Sequence, residues 1–396
     1  MPSTPEISVE VAIVGGGITG CAALWYLAQE GVSALLVEGR ELNTEASGSN
    51  SGSLHAQIPQ DTFGDLGEDW ARSFAPTIRL LRASIELWLD ADREHNGALE
   101  VHLGGGLMLA SSERDLRAIE RKAAFDRSAG SAYEILDAAE LQRRAPYLSS
   151  ELAGAGFCPG EGKANPLVAA PTLARSAVAA GARVLSNSFV RNVESTGAAY
   201  CLHTNNATIN AGRIIIAAGA GSPHIRGVPS LATLPIQSVP IQVAVTEPLE
   251  AVMTSLLYYA RAPLTMKQTS AGTVVIGGGW PAQFDRQQRP VPDARSLAQN
   301  MGLALEVMPR LADVTVVRSW AATVNGTPDW KPMIGPLPGS PGVYLSYVPW
   351  MGFTGGLAAA RIAVNMACGR DSSDGTGLDD YDLRSFEPGG IAGRGT

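Results

Sequence analysis

A chain of 396 residues is too long for one simple core, and 45% apolar content at a mean hydropathy of +0.06 is that of an ordinary globular enzyme. A net charge of −8 excludes the basic face that nucleic-acid phosphates require, and no apolar run reaches the length of a membrane span. Cys21, Cys158, Cys201 and Cys368 are scattered without disulfide or metal-site spacing, and MPSTPEISVE has no basic leader, so a cytoplasmic chain without a metal is expected.

Residues 9–14 are a short β-branched run suited to a buried parallel strand. Gly15, Gly17 and Gly20 follow as G-x-G-x-x-G. The first allows the sharp turn, the second lets backbone approach a phosphate, and the third lets helix pack on strand. A helix is expected over Ile18–Gln29, and its first amides, with Ile18 and Thr19, would face a pyrophosphate. Gly31 ends it and Ala34–Val37 is a second buried strand. Glu38 stands at the tip, followed by Gly39 and Arg40. A carboxylate there accepts both ribose hydroxyls and disfavours a 2′-phosphate, which points to FAD or NAD and not NADP. The fingerprint alone does not choose between flavin and nicotinamide.

Residues 44–53 are small and polar, either a loop wrapped round a ligand or a linker. The flanking Leu54 and Ile58 favour the loop. From 66 to 96, Leu66, Trp70, Phe74, Ile78, Leu81, Ile85 and Trp88 recur at helical spacing, with Pro76 bending or splitting the helix. A strand is expected over 101–110, bulged at 104–106. Ser112 with Asp115, and Asp137 with Glu140, start two further helices that end at Gly130 and Pro146. The block 58–155 breaks the βαβ rhythm and reads as an excursion into a second domain. Asn165 and Pro166 open a helix ending before Gly181. Strands are expected over 184–193 and 200–209, and over 213–219, which ends in the small residues Ala218 and Gly219. Residues 234–247, the run near Met266 and residues 273–280 alternate like a mostly antiparallel sheet. A helix over 293–311 and strands over 314–324 and 342–347 come next. Residues 351–356 then place a second glycine turn at the start of a helix running to Cys368.

Taken in this order the motifs resemble the FAD-dependent amine and amino-acid oxidoreductases that include D-amino acid oxidase, glycine oxidase and the sarcosine oxidases. VAIVGGGITG with Glu38 looks like their dinucleotide motif. ASGSNSGSL is similar to their segment beside the pyrophosphate and isoalloxazine, which nominates Ser47, Gly48, Asn50, Ser51, Gly52, Ser53 and Leu54. GEGKANP resembles their D-G-x-x-x-P. RIIIAAGAGS resembles their second dinucleotide-side motif, nominating Ala218 and Gly219, with Val190 nearby. TPDWKPMIGP with GFTGG resembles the C-terminal flavin-binding part, nominating Gly352, Phe353, Thr354 and Gly355. KQTSAGTVVIGGGWPA is similar to the flavin subunits of D-hydroxyproline dehydrogenases, opine oxidases and hydrogen cyanide synthases.

The resemblance implies an α/β fold in which a Rossmann-like FAD-binding domain (1–57, 156–233 and 312–370) is interleaved with an antiparallel-sheet substrate domain (58–155 and 234–311), followed by a flexible tail (371–396). It implies hydride transfer to flavin N5 from the nitrogen-bearing carbon of a D-amino acid, a proline-like imino acid such as D-hydroxyproline, glycine or sarcosine, leaving an imine that water hydrolyses. Electrons would pass to oxygen or to a partner subunit. Ala322 stands where some sarcosine oxidases carry a flavin-linking cysteine and Met351 where several relatives have a histidine, so FAD is expected to be noncovalent. Lys267 is expected as an ammonium near N5, His55 against substrate or ring, and Tyr258, Tyr259 and Trp320 as pocket walls. The plainer readings are a solvated strand lysine, a structural histidine and core aromatics. WAATVNGTPD puts Val324 where the family often has a carboxylate-binding arginine, and Arg261, Arg318 and Lys331 replace it by charge type only. Two alternatives stay open: a flavin subunit inert without its partner, and a NAD-dependent dehydrogenase.

Overall fold

The structure, a computed structural model, describes residues 5–388. The apolar run Glu6–Val14 sits inside an eight-stranded sheet, and its side chains alternate between two cores. Val11 and Ile13 pack with helices Ile18–Gln29, Ala169–Ala179 and Gly352–Ala367, whereas Ala12 and Val14 pack on the opposite face with Leu202, Ile209 and Ile214. The strands run in the order Met333–Pro336, Val343–Tyr347, Thr208–Ile216, Glu6–Val14, Ala34–Val37, Arg183–Leu185, parallel except for the first. A hairpin of Asn192–Ser195 and Tyr200–His203 extends Thr208–Ile216. Register aligns Val14 with Val37 and with Ile216, and Ile216 with Leu345. The chain therefore leaves four neighbouring strands at one edge, which is where ligands of open parallel sheets bind.

The second sheet runs Val316–Gly326, Gln237–Pro248, Thr273–Gly277, Thr265–Gln268, Leu256–Tyr259, Gly106–Ala110, Gly154–Cys158, Glu134–Asp137. It is antiparallel apart from the pairing of Leu256–Tyr259 with Gly106–Ala110. Leu107, Leu109, Leu257 and Tyr259 face a core shared with helix Ala294–Val307. Met108, Ala110, Leu256 and Tyr258 face the core of the first sheet's helices. This sheet thus lies between its own helix and the nucleotide-side layer.

Several expectations change. The strand expected over 314–324 belongs to the second sheet, paired with Gln237–Pro248. The return expected at 156 falls inside Gly154–Cys158, which also belongs to the second sheet. Residues 184–193 make two strands in place of one, because the chain turns through Asn187 at φ +56°. The helix expected from Pro166 begins at Ala169, since Asn165 uses its side chain to cap a turn at Leu167. The long helix divides at Phe74 into Gln60–Ser73 and Ala75–Glu94, with Pro76 in the first turn of the second, where its missing N–H costs nothing.

The expected flexible tail is packed as far as it is described; residues 389–396 lie outside the described residues. Phe386 and Leu383 are buried against Leu80, Ile334 and Ala358, and buried Asp382 pairs with Arg79 of the long helix. Among the described residues no helix is long and apolar enough to cross a membrane. Phe386→Ala is expected to lower stability by about 3–5 kcal/mol, as for other fully buried aromatics. A thermal or denaturant unfolding curve unchanged by the substitution would show that the segment does not pack.

Candidate active site

The sheet edge opens onto a cleft of about 410 Å³, joined through Gly17 and Ser47 to a second of about 130 Å³. Gly15 lies at φ +113°, and a Cβ on it would stand 2.4 Å from the Ala217 oxygen, so only glycine turns there. A Cβ on Gly20 would stand 1.9 Å from the Gly15 oxygen, which is why helix Ile18–Gln29 can sit down on the strand. The Ile18 amide donates to Ser47 Oγ at 3.0 Å. Gly17 and Thr19 line the clefts with first-turn amides of the kind that attract a phosphate. Glu38 closes the far end, its Oε2 accepting from Gly16 N at 2.6 Å and its Oε1 from Arg40 N at 2.7 Å. Each oxygen keeps acceptor capacity for a ribose hydroxyl. Gly39, Arg40 and Val190 line this end, and Ala218 and Gly219 the opposite wall.

The second cleft is bounded by Ile18, Asn50, Val324, Gly352 and Phe353. Two of its lining residues carry buried polar atoms without a partner among the described residues, Ser346 Oγ and Tyr347 Oη, and a Cβ on Gly352 would meet nothing within 4 Å. Glycine-lined room and unmet polar atoms at one end, with a ribose-type carboxylate at the other, fit an FAD molecule. Glu38 would hold the adenosine ribose, the Gly15–Gly17–Thr19 turn the pyrophosphate, and residues around Val324 and Gly352 the flavin end. Gly20, Gly48, Gly52, Leu54, Thr354 and Gly355 do not line these clefts but shape the chain behind them. Gly48 and Gly52 press against the carbonyls of Asn43 and Ala164, and Leu54 is wholly buried. Ser51 bonds Ser53, its hydroxyl 3.4 Å away.

Residues 53–58 pass from this cleft into the interior between the two sheets, and buried side chains take up their backbone groups. His55 N donates to Thr354 Oγ1 (3.0 Å), Ala56 N to Glu161 Oε1 (2.6 Å) and Ile58 N to Asp126 Oδ1 (2.8 Å), while Ala56 O accepts from Ser131 Oγ. Gln57 joins the group through Glu161, Lys122 and Tyr133, and Lys122 pairs with Asp126 at 2.6 Å, both wholly buried. Burial raises the Glu161 carboxyl to about 7.

Three residues nominated by sequence meet on this segment. Lys267, 4% exposed, donates to Ser53 Oγ at 2.5 Å. Burial, and then the like charge of Lys163, hold it well below the usual lysine range, and an anion placed beside it would raise it again. His55 Nδ1 lies 2.6 Å from Tyr258 Oη, and Nε2 forms no hydrogen bond within the described residues. Burial, and then Lys267, push the imidazole down to about 3, so it is neutral. Trp320 donates through Nε1 to Ser49 O at 2.8 Å, tying the edge of the second sheet to the nucleotide loop.

Other nominations separate. Tyr259 follows Tyr258 on the strand and so faces away, its hydroxyl on Glu306, which also binds Arg261. Arg318 is exposed on the edge strand, the Lys331 amide donates to Asp329, and Val324 does line the second cleft. Met351 is packed among Ile58, Phe63 and Phe74. Sequence reading missed Asn325, which lines both clefts, and Glu161. The signal for Glu161 was a lone acid between two glycines in GEGKANP.

The family model described as FAD dependent oxidoreductase (DAO) matches residues 10–366. A protein of Rhizobium meliloti named as one of the subunits of opine oxidase is 25% identical over 353 residues, covering 85% of this chain and 87% of that protein. Glycine oxidase of Geobacillus kaustophilus (strain HTA426) is 27% identical over 343 residues, covering 85% and 86%. The crystal structure of L-proline dehydrogenase from P. horikoshii superposes with a TM-score of 0.83 at 20% identity, over 98% of this chain and 99% of that one, and shares its fold. The fingerprint, the composite cleft and the family match together make this chain a member of the FAD-dependent oxidoreductase (DAO) family, with FAD as its cofactor.

Proposed function

We propose that this protein oxidises the C–N bond of a small amine or amino acid, of the glycine, sarcosine, D-amino acid or proline-like imino-acid type. The observation that carries this reading is the meeting of Lys267, His55 and Tyr258 on residues 53–58, the segment that Thr354 ties to the glycine turn beginning at Gly352. The names of its glycine oxidase and opine oxidase relatives support it. Bound FAD supplies the two-electron acceptor. The chain has to deliver the amine in its neutral form, keep the reacting carbon oriented and admit water to hydrolyse the imine. His55 is suited to the first task, because its neutral ring presents an unpartnered nitrogen. Lys267 is suited to holding negative charge that develops beside it, at the end of a hydrogen bond that already fixes its position. Strand Val316–Gly326 brings no arginine to either cleft, so substrate recognition rests more on the amine than on a guanidinium–carboxylate clamp.

A second reading, a flavin subunit that is inactive alone, is favoured by one observation: the opine oxidase relative, matched over 87% of its length, is named as a subunit. Anaerobic mixing of the FAD-loaded protein with D-amino acids, proline analogues, sarcosine and glycine separates the two. Bleaching of the flavin by one of them is expected, and bleaching by none would remove unassisted catalysis. Repeating the active pair in air, with and without an artificial acceptor, then distinguishes oxidase from dehydrogenase.

Lys267→Met keeps the length of the side chain and removes its donor. Flavin reduction, or its reoxidation by oxygen, is expected to slow by about tenfold or more, the effect of losing one hydrogen-bond donor to developing charge. Stopped-flow rates equal to wild type in both half-reactions would remove the role.

A further inference from the structure

We propose that Asn325, carried on the edge strand of the second sheet, is a ligand of the cofactor's pyrophosphate, its side-chain amide donating at the point where the two clefts join. This goes beyond the amine-oxidation reading above and holds whichever substrate is oxidised, since it rests on FAD alone.

The clefts have few walls in common. Gly17, Ala46, Ser47, Ala217, Gly219 and Asn325 line both, so they surround the junction. Gly17 is the glycine at which backbone approaches a phosphate. Ser47 Oγ accepts from the Ile18 amide at 3.0 Å, which leaves its hydroxyl proton free to donate. The junction also lies between the carboxylate of Glu38 in the larger cleft and Gly352 and Phe353 in the smaller, where the phosphates of an FAD molecule belong. None of these shared residues carries a charge. All but Asn325 come from the nucleotide side, and Asn325 is the one long polar side chain that faces them from the second sheet.

The strand holds Asn325 firmly. Ser238, its partner in register on Gln237–Pro248, donates through Oγ to Asn325 Oδ1 at 2.9 Å. Trp350 N donates to the Asn325 carbonyl at 2.8 Å. Gly326 has no room for a side chain, because a Cβ there would stand 1.7 Å from the Trp350 ring, so the backbone beside Asn325 is closed in. With Oδ1 taken up by Ser238, the NH2 group is left toward the cleft. Nδ2 lies 3.8 Å from the place a Cβ on Gly219 would occupy, and it has no hydrogen-bond partner among the described residues. A serine hydroxyl donates or accepts with equal ease, so an anion across the cleft selects the orientation in which nitrogen faces it.

The bond to Ser238 needs only an acceptor, which a carboxylate would supply as well. The donor half of the amide is what strand pairing leaves unused. Phosphate oxygens only accept, and a hydrogen bond to an ionised acceptor is stronger than one between neutral groups. First-turn amides would then meet the pyrophosphate from the first sheet and Asn325 from the second, so that bound FAD joins the two sheets at its phosphates.

The test measures binding to the full chain freed of flavin, by fluorescence quenching for FAD and by calorimetry for ADP. Asn325→Asp keeps the size of the side chain and the bond from Ser238, but sets a negative charge against the phosphates. FAD affinity is expected to fall by about a hundredfold or more, and raised ionic strength to restore part of it. Asn325→Leu removes the donor without adding charge, and about a tenfold to hundredfold loss is expected, that of one hydrogen bond to a charged group. ADP carries the pyrophosphate but neither ribityl chain nor ring, so each variant should weaken ADP by the same factor as FAD. Either variant carries the test if the other does not fold. Wild-type affinity for both ligands would overturn the proposal. So would a loss confined to FAD, which would place the amide on the ribityl chain or the ring, or a loss in Asn325→Asp that ionic strength leaves untouched.

Discussion

Residues 53–58 carry the chain through the interior between its two sheets, where the backbone amides must find partners within the protein. Carboxylates answer them: Glu161 holds the amide of Ala56 and Asp126 that of Ile58, with Lys122 paired to Asp126. Such groups are rarely buried, and removing one partner leaves another stranded at a cost of several kcal/mol. Thr354 ties the same segment to the second glycine turn, accepting from His55 N and donating to Ser53 O, while its own carbonyl accepts from Ser84 and Trp88 of the long helix. These few bonds fix the second glycine turn against residues 53–55 and the long helix.

That crossing also explains why the chemistry-bearing side chains have unusual ionisation. Lys267 and His55 stand beside one another in a dry region where charge is disfavoured, and the nearest additional cation, Lys163, repels Lys267 further. Strand Val316–Gly326 adds no cation here: its one arginine, Arg318, lines neither cleft, and the second cleft is walled by the aliphatic Val324 and the amide of Asn325.

Residues 9–37 were legible almost to the residue, because the strand, glycine turn and helix each have local causes. Helix Ile18–Gln29 and strand Ala34–Val37 fall where periodicity and Gly31 put them. Partners were harder to read than elements. A strand was legible over 314–324, but not which sheet it joins, since pairing is decided across the chain. Tyr258 and Tyr259 looked equivalent until the strand's two faces were known. The segment 371–388 looked featureless because Leu383 and Phe386 are sparse among Asp, Ser and Gly, yet one ion pair and one aromatic suffice to seat it. Glu161 was hidden for a different reason: what makes it unusual is depth, and nothing in the letters around it reports depth.

The cofactor cleft draws on residues near the start, the middle and the end of the chain: Gly15 to Ser47, Ala217 to Gly219, and Gly352 with Phe353. Its sheet is equally scattered, with Glu6–Val14 flanked by Thr208–Ile216, which in turn is flanked by Val343–Tyr347. No contiguous fragment holds a complete site. On the ribosome, the first strand and its glycine turn are made early but wait for most of the chain before their neighbours exist. FAD can be enclosed only after the helix beginning at Gly352 has emerged, so loading with flavin is a late event in the birth of the molecule and follows, rather than guides, the pairing of its long-range strands.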